Sequence, residues 1–108
     1  MGSQVLSQEE QFKEVMLDTY RQAARKGYRA TYFLQMIGEL GAVETAKQLV
    51  MNPTYSSGFA QLLAMGELRI SVEAIILRDE FRSMFEEKYL AAAHKKLDEA
   101  GYFGKGGK

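Results

Sequence analysis

The sequence predicts an all-α fold, a compact irregular array of five to seven short helices in a single domain. Apolar residues recur at helical spacing in several successive segments, and a glycine or a proline closely follows most of them. No segment shows the strict apolar and polar alternation of a half-buried strand. Segments of about ten residues with very short links favour an irregular array over a regular four-helix bundle.

The first helix is predicted over residues 8–26. Ser7 and Glu10 have the spacing of a capping box, in which each residue hydrogen-bonds the backbone N–H of the other. Gly27 supplies the stop, because glycine adopts the left-handed conformation at little cost. Between these signals lies an apolar stripe at helical spacing, formed by Phe12, Val15, Met16, Tyr20, Ala23 and Ala24.

The later helices are marked by similar start and stop signals. Ser71 is a suitable N-cap, Asp79 is predicted to cap a short turn, and Pro53 ends the third helix. Gly38 weakens the second helix and is expected to allow a close helix crossing. The predicted helices cover 30–40 and 42–51, a segment that follows the polar loop 52–57 and runs to Met65, a segment from Ser71, and 86–100, with Gly41, Gly66 and Gly101 as stops.

Composition limits the organisation and the function. A chain of 108 residues with 46% hydrophobic residues fits one domain, predicted over 8–103, with a flexible segment 1–7 and a disordered tail 104–108. Lys and Arg number 14, as do Asp and Glu, so the net charge is zero, unlike that of a typical nucleic-acid-binding domain. The apolar runs are too short to span a membrane, and the absence of cysteine suits a reducing cytoplasm, where we expect the protein to reside.

No group of residues predicts catalysis, a metal site or a cofactor. His94 and Asp98 share one helix face, but one histidine and no cysteine leave zinc short of ligands. Paired carboxylates can perform acid–base chemistry, but the most obvious ones lie in first helical turns, where they complement the helix dipole. These are Glu9, Glu10, Glu86 and Glu87. We therefore expect a protein that is not an enzyme.

A basic region at the end of the first helix supports an alternative, a nucleic-acid-binding accessory or regulatory protein. Its candidate phosphate contacts are Lys13, Arg21, Arg25, Lys26 and Arg29. Tyr28 and Tyr32 lie nearby and could stack on bases. The simpler interpretation is a solvated helix end, because Glu14 and Asp18 are mixed with these cations.

Apolar residues outside the main stripes favour a protein-binding surface. The chain has six methionines, whose flexible side chains suit adaptable interfaces. The candidate interface residues are Leu17, Met51, Tyr55 and Met65. They indicate a protein partner or a homodimer, although ordinary core filling is an equal alternative. A third hypothesis is a small-ligand pocket walled by Phe33, Phe59 and tyrosines, which are also good core residues.

The chain resembles a small bacterial helical module to which no function is assigned. The resemblance covers Gly27 to Tyr102 and implies a helical domain that occurs alone or appended to larger bacterial proteins, some of them on mobile DNA. It implies no catalytic residues. The similarity depends on Gly27-Tyr28 with Phe33-Leu34, Gly41-Ala42-Val43-Glu44-Thr45-Ala46-Lys47-Gln48-Leu49, Ser57-Gly58-Phe59 with Leu62 and Leu68, Val72-Glu73 with Leu77, and Phe81 with Phe85.

The leading hypothesis from sequence is therefore a non-enzymatic helical interaction module. We expect it to bind a protein partner or itself, without metal, cofactor or membrane. Nucleic-acid binding through the basic end of the first helix is the alternative.

Overall fold

A computed structural model describes residues 6–104, and this part of the chain contains six α-helices and no strand. The prediction of an all-α array of five to seven helices is confirmed. Residues 1–5 and 105–108 lie outside the described part, so their predicted flexibility and disorder stay predictions. The helices are α1 (Gln8–Arg25), α2 (Thr31–Leu40), α3 (Ala42–Met51), α4 (Ser57–Met65), α5 (Val72–Ile76) and α6 (Glu87–Glu99), with 3₁₀ turns at Leu68–Ile70 and Arg82–Met84.

Helix α1 begins with the capping box that the sequence predicts. The Ser7 hydroxyl accepts a hydrogen bond from the Glu10 N–H at 3.0 Å, and the Glu10 carboxylate accepts one from the Ser7 N–H at 2.8 Å. The helix ends one residue earlier than predicted, at Arg25. Gly27 follows with a φ of +98°, a conformation that suits glycine.

Serine hydroxyls also cap α4 and α5. Ser56 accepts from the Phe59 N–H at 3.1 Å, and Ser71 accepts from the Ala74 N–H at 3.2 Å, as predicted for Ser71. The prediction that Asp79 caps the next turn is wrong. The cap position of the 3₁₀ turn is Phe81, which forms no side-chain cap bond, because the turn begins two residues further along the chain.

The buried residues form two apolar clusters. In the larger, Phe12 contacts the ring edges of Phe81 and Phe85, with centroids 5.2 and 5.4 Å apart. Helix α3 lies at the centre of the array, since it packs against α1, α2, α5 and α6. The smaller cluster joins α1, α4, the first 3₁₀ turn and α6 through Ala23, Phe59, Leu62, Leu68, Ile70 and Leu97.

Gly38 does not have the packing role that we expected from the sequence. It is exposed in the middle of α2, and a Cβ atom added there would meet no heavy atom within 4 Å. No helix therefore approaches closely enough to require a glycine. The expectation of a close crossing at this position is wrong.

Two glycine-to-alanine substitutions should have opposite effects on stability. Gly38→Ala should raise the free energy of unfolding by about 0.5–1 kcal/mol, because alanine favours the helix and space is free. Gly66→Ala should lower it by about 1–2 kcal/mol, because Gly66 ends α4 in the left-handed conformation at φ +71°. Urea denaturation of both variants measures the two shifts. Equal signs would contradict the assigned backbone conformations.

Candidate functional site: an apolar pocket above a buried ion pair

An apolar pocket opens to solvent where α1, α2, α4 and the start of α5 meet. Several lining residues are buried, among them Ser71, Val72 and Glu73, which we call the inner end of the pocket, whereas Tyr32 is 71% exposed. The pocket therefore runs from the surface to the core. Its lining residues are Thr19, Tyr20, Ala23, Tyr28, Ala30, Tyr32, Phe33, Met36, Leu49, Ser56, Ser57, Gly58, Phe59, Leu62, Ser71, Val72 and Glu73.

Aromatic rings dominate the walls and the rim. Phe33 and Phe59 lie in the walls, as the small-ligand hypothesis expected. Tyr55 packs on Phe59 with ring centroids 4.6 Å apart and is itself 40% exposed, which extends the aromatic surface beyond the mouth. The Tyr28 hydroxyl lies 3.5 Å from the Ser57 hydroxyl. Large, rigid side chains that are apolar in body and polar at the tip are typical of binding surfaces.

A buried ion pair lies at the inner end of the pocket. The Lys96 ammonium of α6 is 3.0 Å from the Glu73 carboxylate of α5, and it also donates to the Leu49 carbonyl of α3 at 2.9 Å. Both charged side chains are less than a tenth exposed. Lys96 Nζ also lies 5.7 Å from the centroid of the Phe59 ring, which lines the pocket. The pair therefore connects three helices directly beneath the pocket.

Burial sets the protonation behaviour of Glu73. Removal of the carboxyl group from water raises its pKa above the ordinary value, and the neighbouring Lys96 ammonium opposes this shift by Coulomb attraction and a hydrogen bond. The charged form is thus held mainly by a single cation. Loss of that cation would leave a carboxylate that neither water nor a counter-charge stabilises.

Hydroxyl groups add polar atoms to the apolar lining. Ser56 and Ser71 each accept a hydrogen bond from a backbone N–H as N-caps. Each hydroxyl hydrogen is still able to donate, because a serine hydroxyl carries one donor and two acceptor positions. Thr19 donates to the Ile70 carbonyl at 2.9 Å, and this bond ties α1 to the turn before α5.

The size of the pocket limits what it can hold. Its volume is about 80 Å³, whereas pockets for drug-sized ligands measure roughly 300–1,000 Å³. A large cofactor would not fit. One side chain or a small fragment would fit, with its outer part held between the tyrosines of the rim.

The four predicted interface residues fall into two groups. Met51 and Tyr55 are exposed by 46% and 40%, and Tyr55 adjoins the pocket through Phe59. Leu17 and Met65 are half-buried and pack against the larger and the smaller apolar cluster, respectively. Two of the four residues are therefore exposed, and the other two are partly covered by core packing.

The five predicted phosphate contacts are exposed but do not form a uniform basic face. Lys26 pairs with Glu67 at 3.1 Å, and Arg21 lies 3.8 Å from Asp18. At about 100° per residue, Lys13 and Arg25 are separated by roughly 120° around α1. The depression beside Arg21 is also lined by Glu14, Asp18 and Arg78, so its charges are mixed. Arg29 lies between two pocket-lining residues, Tyr28 and Ala30.

Neither member of the buried ion pair was predicted from the sequence as a site residue. Glu73 is the one charged residue in α5 (Val-Glu-Ala-Ile-Ile), and this isolation within an apolar helix was a usable signal. Lys96 directly precedes the buried Leu97 and lies three residues after the buried Ala93 in α6. The contact between Glu73 and Lys96 could not be predicted from the sequence, because 23 residues and several turns separate them.

Two further findings concern metals and membranes. Between residues 6 and 104, no three side chains of His, Cys, Asp or Glu lie close enough together to hold a metal ion. His94 instead stacks on Phe103, with ring centroids 4.5 Å apart. In the same part of the chain, no helix combines the length and the apolar character that crossing a bilayer requires.

Comparison of the chain with family models, with curated proteins and with solved structures gave no match. The resemblance to a bacterial helical module therefore stays a prediction. The interpretation of the pocket depends on its own residues and their chemistry.

The two buried charges of the ion pair should depend on each other for their effect on stability. Lys96→Met should lower the free energy of unfolding by about 3–5 kcal/mol, because it leaves the Glu73 carboxylate buried without a counter-charge. The double variant Glu73→Leu with Lys96→Met should recover most of this loss, since it buries no charge. Urea denaturation at pH 7 measures all three proteins. A double variant as unstable as Lys96→Met would contradict the coupling.

The stability of the wild-type protein and that of the double variant should depend differently on pH. Because the pKa of Glu73 is raised in the folded state, the folded protein binds more protons than the unfolded chain above the ordinary value of 4.5. The wild-type protein should therefore lose stability relative to the double variant as pH rises from about 4.5 through the raised pKa. Urea denaturation at several pH values measures the difference in free energy of unfolding between the two proteins. If the wild-type protein instead gained stability relative to the double variant as pH rose, the raised pKa of Glu73 would be contradicted.

Proposed function

We propose that this protein is a non-enzymatic interaction module that binds a partner protein by taking one large, mainly apolar side chain of the partner into the pocket. The observation that carries the proposal is a small apolar pocket that reaches from exposed tyrosines to the core. Protein interfaces concentrate their binding energy in a few anchor side chains that fill desolvated pockets, surrounded by residues that exclude water. The pocket of this protein has the form expected of a site that receives such an anchor side chain.

The surroundings of the pocket support a protein partner over a free small molecule. Tyr32 and Tyr55 present exposed rings at or beside the mouth, and Met51, the last residue of α3, has nearly half its surface exposed. Tyrosine and methionine are enriched at protein interfaces. A small ligand inside an 80 Å³ pocket would leave these rings in water, whereas a protein surface would cover them.

The polar groups of the pocket support binding rather than catalysis. A general acid and base pair needs two titratable groups with separated pKa values beside the same reacting atoms. The one carboxylate of the lining is Glu73, and it is bound to Lys96. Of the three serines in the lining, Ser56 and Ser71 act as helix caps, and the lining contains no histidine.

Gly58 offers a direct test of the pocket. It lines the pocket inside α4, and a Cβ atom at this position would have Ser56 Oγ at 3.9 Å as its nearest neighbour, an ordinary contact. Gly58→Leu should therefore fill the pocket without straining the helix. Gly58→Ala is the matched control, because it adds the Cβ atom alone and should support the helix equally well.

The experiment is selection of binding peptides from a displayed random library with the wild-type protein. We expect peptides that share one large apolar residue, with affinity unchanged in Gly58→Ala and at least about tenfold lower in Gly58→Leu, since a lost anchor costs more than 1–2 kcal/mol. Selected peptides that bind Gly58→Leu as tightly as the wild-type protein would contradict the proposal, as would a selection that yields no binders.

Light scattering on the wild-type protein, Gly58→Ala and Gly58→Leu shows whether the anchor comes from a different protein or from a second copy of this chain. A wild-type monomer supports a different protein as the partner. A dimer that Gly58→Leu converts to monomer, while Gly58→Ala does not, would instead identify a second copy of this chain as the occupant. A dimer insensitive to both substitutions would place self-association elsewhere on the surface.

A further inference from the structure

The polar atoms at the inner end of the pocket indicate which kind of anchor side chain it would hold. The inference drawn from them rests on the proposed function. We propose that the anchor is a tyrosine side chain of the partner protein, whose phenol hydroxyl donates a hydrogen bond to the Glu73 carboxylate and accepts one from a serine hydroxyl. The ring of this tyrosine would lie between Phe33 and Phe59.

The carboxylate of Glu73 has acceptor capacity to spare. An ionised carboxylate has about four positions for accepting hydrogen bonds. Among the described residues, Lys96 is the one side chain that donates to it, at 3.0 Å. Glu73 is 3% exposed and lines the pocket, so water reaches it poorly. A hydrogen-bond donor at the tip of an incoming side chain would therefore gain a charged acceptor.

The net charge at the inner end of the pocket favours an incoming side chain with a neutral hydrogen-bond donor over one with a charged group. Glu73 and Lys96 form a pair with no net charge. An incoming lysine or arginine would be a second cation beside Lys96 and would be buried without a counter-charge of its own, which is costly. An incoming carboxylate would face Glu73 directly. A neutral donor avoids both costs.

The serine hydroxyls favour a hydroxyl over a group that only donates. Ser71 is 1% exposed and lines the pocket, and its oxygen already accepts from the Ala74 N–H. Its hydrogen needs an acceptor, which a phenol oxygen provides and an indole N–H does not. A serine or threonine anchor also carries a hydroxyl, but it would leave the aromatic walls without a ring to pack against.

The shape of the pocket agrees with a phenol. Phe33 and Phe59 supply ring surfaces, and aromatic pairs are favourable at centroid distances of about 4.5–7 Å. The small volume of about 80 Å³ suits a single six-membered ring better than the larger indole.

The experiment compares p-cresol, which is the side chain of tyrosine, with p-fluorotoluene, which has similar shape but no hydroxyl. Each is titrated into the ¹⁵N-labelled protein, and amide shifts around Gly58 and Ser71 report the site. We expect p-cresol to bind at least about tenfold more tightly, as a hydrogen bond to a charged group predicts. Benzylamine, which is a cation at neutral pH, should bind more weakly than p-cresol.

Two variants test the assigned contacts. Glu73→Leu with Lys96→Met removes the acceptor without leaving a buried charge, and it should abolish the preference for p-cresol while p-fluorotoluene still binds. Ser71→Ala should lower the affinity for p-cresol several-fold and leave that for p-fluorotoluene unchanged; it remains informative if the double variant does not fold.

The outcomes separate this inference from the proposed function. Equal binding of p-cresol and p-fluorotoluene at the pocket, unchanged in Ser71→Ala, would overturn the tyrosine anchor and leave an apolar anchor in place. Tighter binding of benzylamine than of p-cresol would overturn it in favour of a cation. No binding of any of the three probes at these amides would contradict the pocket itself, and with it the proposed function.

Discussion

The ion pair between Glu73 and Lys96 is the interaction on which the centre of this structure depends. It links α5 to α6, and through the Leu49 carbonyl it also links both to α3. Two buried charges stabilise a fold little compared with apolar packing, because desolvation offsets much of their attraction. Each charge nevertheless requires the other, so the pair fixes how the three helices are placed relative to one another.

The pocket follows from that placement. Glu73 lies in the first turn of α5, directly after the Ser71 cap, and both residues close the inner end of the cavity. The N-terminus of α4 forms one wall through Ser56, Gly58 and Phe59, where a glycine leaves room that a side chain would occupy. A charged pair in the core thus lies below an apolar pocket, and specificity for the bound group is expected to come from the few polar atoms at its end.

The sequence predicted the helices well because their signals are local. The capping box of Ser7 and Glu10, the Ser71 cap and the glycine after α4 each depend on neighbours within a few residues. The pocket was predicted only in part. Phe33 and Phe59 were named as walls, but Glu73 and Lys96 were missed, because a contact between residues 23 positions apart depends on how the helices cross. Leu17 and Met65 were predicted as interface residues, but both are partly buried against the apolar clusters. Such packing between helices is equally hard to predict from local sequence.

Partner binding at the pocket is tested most directly by locating a selected partner peptide on the protein with intermolecular nuclear Overhauser effects. We expect contacts from the ring protons of one peptide side chain to Phe33 and Phe59, with further contacts from the flanking peptide residues to Tyr32 and Tyr55. Contacts confined to another surface, such as the basic end of α1 or the exposed Tyr102 and Phe103, would contradict it.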